Sequence, residues 1–72
     1  MSLLLNIIEE AKSNPHGIEE DWLALRNAYF RGETPYQDIE SWAEENNLVA
    51  TFIDGGPRHA NPPRVVHFRV KS

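Results

Sequence analysis

The run TPYQDIESWAEENNLVATFI, residues 34–53, contains a helix start, a helix stop and a strand, and the rest of the chain is read outward from it. Thr34 suits an N-cap and Pro35 the first helical position. Gln37 follows Thr34 at the T-x-x-Q spacing of a capping box. Ile39, Trp42 and Ala43 form an inner face, while Asp38, Glu40, Glu44 and Glu45 point elsewhere. Asn46-Asn47 then stops the helix, because Asn tolerates the left-handed backbone that most residues avoid. The expected helix covers about residues 35–46. LVATFID, residues 48–54, alternates and is rich in β-branched and aromatic residues, so a strand follows at once.

Downstream, GGPRHANPP (55–63) is a loop whose three prolines forbid regular pairing. RVVHFRVK (64–71) reads as a returning strand with Val66, Phe68 and Val70 on one face and Val65, His67, Arg69 and Lys71 on the other. Upstream, Leu4, Ile7, Ile8 and Ala11 set a helix over about residues 3–12. Asn14-Pro15 ends it, with Gly17 free to take a positive φ. Ile18, Trp22, Leu25 and Tyr29 fall on one helical stripe, so a second helix is expected over about 18–31. Glu19, Glu20 and Asp21 would sit in its first turn, and Gly32 at its left-handed stop. The expected architecture is α+β: a single domain over residues 1–72, three helices followed by a C-terminal two-stranded β-hairpin. Its core should draw on Ile7, Ile8, Ile18, Trp22, Leu25, Ile39, Trp42, Leu48 and Phe68.

Composition narrows the function classes. With 40% apolar and 25% charged residues the chain is in the globular range. It has no cysteine, which excludes disulfides and thiolate zinc sites. The apolar start is too short to span a bilayer and lacks a secretory pattern, so a cytoplasmic, membrane-free chain is expected. His16, His59 and His67 do not have zinc-ligand spacing, and no serine has a nucleophile-elbow context. Neither an enzyme, a metal, a cofactor nor a small-molecule substrate is expected.

The net charge of −4 conceals an uneven layout. Residues 1–50 hold three cations against ten acids, whereas residues 51–72 hold Arg58, Arg64, Arg69 and Lys71 against Asp54 alone. This suggests two interaction surfaces. A basic hairpin of Arg58, His59, Arg64, His67, Arg69 and Lys71 could contact DNA non-specifically or with a partner's help. An acidic helical face of Asp38, Glu40, Glu44 and Glu45 could instead meet a basic protein, or imitate a nucleic-acid backbone. The basic strand also fits a solvated sheet edge that charge keeps from aggregating. A homodimer or a protein partner is expected in either case, since Tyr29, Phe30, Tyr36 and Val65 exceed what so small a core holds.

Three helices followed at once by a β-hairpin resemble the winged helix-turn-helix family over nearly the whole chain. The resemblance implies a third helix placed for a DNA groove and a wing, here residues 55–64, that touches the backbone or minor groove. ETPYQDI and NPPRVVHFRV also look like the threonine-proline helix start and proline pair of the domains that bind left-handed Z-form nucleic acid. That subfamily reads its ligand with an Asn and a Tyr on the third helix. Glu40 and Glu44 occupy those positions here, so its function is not carried over.

Overall fold

A computed structural model describes residues 3–71; residues 1, 2 and 72 of the expected domain lie outside the described residues. The elements in chain order are α1 (Leu3–Ser13), β1 (Ile18–Asp21), α2 (Trp22–Ala28), α3 (Pro35–Glu45), β2 (Leu48–Ile53) and β3 (Val65–Val70). The fold is α+β, as expected, but the hairpin expectation is corrected. The sheet has three antiparallel strands in the order β1-β3-β2, so β3 lies in the middle and is not an edge.

The third strand comes from IEED, which the helical stripe had assigned to a helix over 18–31. Two effects, one tertiary and one local, favour the strand. β3 needs hydrogen-bond partners along its second side, and Ile18–Asp21 pair with Phe68–Val65 to supply them. Asp21 also works better as a cap than inside a helix: its carboxylate accepts from the Ala24 N–H at 3.0 Å. The helix that remains, α2, is short and ends at Tyr29, not at Gly32. The chain then turns inward and buries Phe30, leaving Tyr29 41% exposed. The Tyr29 hydroxyl accepts from the Leu3 N–H at 3.2 Å, which ties α2 to the start of α1.

The α3 helix lies where the sequence put it, with Pro35 at its start. The capping box does not form, however. The Thr34 hydroxyl donates to Asp38 Oδ1 at 3.2 Å and leaves the backbone donors alone. At the far end the Asn46 side-chain amide donates to the Trp42 carbonyl at 2.8 Å, and Asn47 takes φ 61° to launch β2.

All the fully buried apolar residues fall between the helices and one face of the sheet. Ile7, Ala11, Trp22, Leu25, Phe30, Ile39, Ala43, Leu48, Val66 and Phe68 form this core, with Ile8, Ile18, Tyr36 and Trp42 packed half-buried against it. Leu48, Ala50 and Phe52 are the inward residues of β2, a choice the sequence left open. Two aromatic groups set the helix positions. Trp22 stacks on Tyr36 at 4.9 Å while Phe52 meets both rings edge-on. Trp42 bridges Phe30 and Phe68 at 6.2 and 5.6 Å. Such pairs add about 0.5–1.5 kcal/mol each beyond burial and fix ring geometry.

Gly17 makes the α1–β1 turn possible. It has φ 82°, and a Cβ there would lie 2.5 Å from the Phe68 carbonyl oxygen and 2.6 Å from the His67 ring. Only glycine admits β3 this closely.

Candidate interaction surfaces

The loop between β2 and β3 is closed tightly at its base. Asp54 turns the chain with φ 66°, and Gly55 and Gly56 are buried. Gly56 N–H donates to the Asn61 carbonyl at 3.2 Å, and His59 N–H to the Gly56 carbonyl at 3.0 Å. These contacts close the base of the loop, and Pro57 to Pro62 are exposed beyond it.

The six basic residues expected to act together do not converge. Arg58 and His59 lie at the exposed loop tip, and neither side chain has an ion pair among the described residues. Arg64 stands at the loop base, where its Nε is 3.0 Å from Asp54 Oδ2. His67 lies against the α1–β1 turn, with Nε2 2.8 Å from the His16 carbonyl oxygen. A carbonyl can only accept, so Nε2–H is the donor and Nδ1 alone is left for another partner. Arg69 is exposed on the outer face of the sheet. Lys71, past the end of β3, reaches Glu44 Oε1 at 2.8 Å. From Arg64 to Lys71 the strand runs roughly 23 Å at the rise of an extended chain. The cations are thus spread along β3, and two of them already face acids.

These two pairs were not foreseen from the sequence. Asp54 meets Arg64 because both flank the loop, and Lys71 meets Glu44 because the end of β3 passes the last turn of α3. That turn has no cation of its own, so Lys71 also complements its partial negative charge. Both pairs are exposed, so each contributes little stability. Their effect is to reduce the free positive charge on the hairpin.

The acidic face is more coherent. Asp38, Glu40, Glu44 and Glu45 are all exposed on α3, together with Gln37 and Ser41. Glu44 is engaged by Lys71 and Asp38 accepts from Thr34; no ion pair holds Asp38, Glu40 or Glu45 among the described residues. α3 itself carries no Lys or Arg. A second acidic feature lies behind β1. Glu20 points inward and is half-buried, and this burial pushes its carboxyl above the ordinary glutamate range; Glu10 of α1 adds to the shift.

An open hollow of about 310 Å³ at the start of α3 is lined by Glu33, Thr34, Pro35, Tyr36 and Gln37. Among the described residues no group of three or more His, Asp or Glu side chains is placed to hold a metal, and no helix is long and apolar enough to cross a membrane. Comparison with known proteins adds no relative. No family model matches the chain, and neither a curated protein nor a solved structure is significantly similar to it.

Proposed function

We propose that this chain is a small winged-helix-like interaction module, with α3 as its docking helix and a basic protein segment as its partner. The observation that carries this reading is the exposed face of α3, with four carboxylates and no cation of its own. Element order and the exposed loop between β2 and β3 support the winged-helix-like part of the proposal. Electrostatics decides what α3 can meet. At an effective dielectric of about 20, each carboxylate brought within about 6 Å of a phosphate costs roughly 3 kcal/mol. Four such groups outweigh what Arg58 and Arg69 return, so α3 does not enter a nucleic-acid groove. A Lys- or Arg-rich segment reverses the sign of each term, and it associates faster because the fields attract.

A second reading keeps nucleic acid as the ligand but moves the contact away from α3. Arg58, His59 and Arg69 are exposed and outside the two ion pairs, and a duplex could lie across the loop tip and outer sheet, alone or beside a partner. Contacts this few would be weak and strongly salt-dependent.

One titration series separates the two. The chain is mixed at low salt with a Lys/Arg-rich peptide and with a mixed-sequence duplex, followed by fluorescence anisotropy. The first reading expects peptide binding that disappears in Asp38→Lys/Glu40→Lys/Glu45→Lys, with no duplex binding. The second expects duplex binding that disappears in Arg58→Ala/Arg69→Ala. Peptide binding indifferent to the α3 reversal overturns the first reading.

A further inference from the structure

The sheet has two outer edges with opposite character. The Trp22 N–H donates to the Arg64 carbonyl at 3.2 Å, in line with the β1–β3 register. The paired main-chain groups of β1 are therefore those of Ile18 and Glu20, and the groups facing away from the sheet belong to Glu19 and Asp21. On the other side the Lys71 N–H donates to the Asn47 carbonyl at 2.9 Å, in line with the β2–β3 register. Val49, Thr51 and Ile53 thus pair with β3, and the outward groups are those of Leu48, Ala50 and Phe52. One edge is short and carries three acids. The other is six residues long, with no charge and no proline.

An uncharged, proline-free edge lacks the usual protection against strand addition. We propose that the β2 edge is a self-pairing site, to which a second copy adds its own β2 antiparallel about a two-fold axis through Thr51. Three observations select this occupant and this register. First, Leu48 is only 1% exposed, which closes that end of the edge and leaves Ala50 and Phe52 as the accessible outward groups. An axis at Thr51 joins Ala50 to Phe52 of the second copy, and Phe52 to its Ala50, by reciprocal N–H to C=O bonds. Second, the outer-face residues then oppose one another without conflict. Thr51 meets Thr51, and half-exposed Val49 meets half-exposed Ile53. Third, charge rules out self-pairing at the other edge, where the Glu19 and Asp21 carboxylates of two copies would face each other. The product is a continuous sheet of six strands, ordered β1-β3-β2-β2-β3-β1. The proposal does not rest on which partner α3 takes.

The contact is confined to one strand per copy, so the dimer is reversible and its population follows concentration. The test uses the full chain in sedimentation equilibrium from about 10 µM to about 1 mM, a range chosen for weak association. The expected mass rises from one chain to two. Over the same range the Ala50 and Phe52 amides slow in hydrogen exchange by about tenfold or more, while those of Glu19 and Asp21 do not change. Thr51→Lys places two lysines directly opposite one another, with Cβ atoms about 5 Å apart across the axis, and keeps the chain a monomer. Because Thr51 is exposed, the variant retains the wild-type melt at the low-concentration end, where both are monomers, and Thr51→Val keeps the dimer. A single-chain mass throughout overturns the proposal. So does a dimer indifferent to Thr51→Lys, or growth beyond two chains, which would mean β2 adding to β1 in an open series.

Discussion

The two faces of β3 perform different tasks within six residues. Facing in, Val66 and Phe68 are 0% exposed; α1 packs on the strand here and Trp42 of α3 meets the Phe68 ring edge-on. Facing out, His67 is half-buried against a turn and Arg69 is in solvent. The two-residue period of a strand keeps these tasks apart, because neighbours share a backbone but no environment. Surface chemistry on the outer face can change without disturbing the core. The inner face has no such freedom.

The largest expected effect comes from breaking the inner side. Phe68→Ala removes the ring that Trp42 packs on and should cost about 3–5 kcal/mol, read as a lower denaturant midpoint. A chain this small has little more than that to lose. Gly17→Ala tests how closely β3 approaches the first turn. A positive φ and a clash with the Phe68 carbonyl predict a loss of about 2 kcal/mol, and an unchanged melt would show that the approach is loose. Next, Asp21→Ala should cost about 1 kcal/mol by removing the α2 cap. Thr34→Ala should cost clearly less, since Thr34 caps nothing. Equal losses would undo the distinction between the two helix starts.

Glu20 yields a smaller, pH-dependent effect. Burial raises its carboxyl above the ordinary range, with Glu10 adding to the shift, so the folded chain holds this proton more tightly than the unfolded chain. The contribution is therefore favourable at low pH and is lost as pH rises through the ordinary carboxylate range and up to the raised value. Glu20→Gln should be the more stable form at neutral pH, and its advantage should shrink on acidification. A constant gap between the two melts across pH 3–7 would assign the effect to packing instead. The smallest change is expected on the outer face, where Arg69→Ala should alter stability by less than about 0.5 kcal/mol.

Much of the inner face was legible from local pattern. α3, β2 and β3 each declare themselves by spacing alone, and Asn46-Asn47 marks the junction between the first two. β1 did not, because Glu and Asp are poor strand formers and IEED fits a helical stripe as well. Its state is set by the open side of β3, a tertiary demand that overrides local preference. The core list missed Phe30 for a related reason: once α2 stops at Ala28, the following residues turn inward. For the surfaces, helical periodicity was enough to place the α3 acids in solvent. It could not show that Asp54 and Glu44 would take up Arg64 and Lys71, since those meetings depend on the loop geometry and on where β3 ends beside α3.

The order β1-β3-β2 has a kinetic consequence. β1 and β2 share no hydrogen bonds, so a nascent chain that has emerged only through Ile53 owns two strands and no sheet. Its helices have nothing to lie on until the last of the three arrives between them. Contacts that span most of the chain close late, and folding should be slower than for a helical bundle of equal length. Until then LVATFI is exposed on both sides, and that interval is when the chain is most open to association with its own copies.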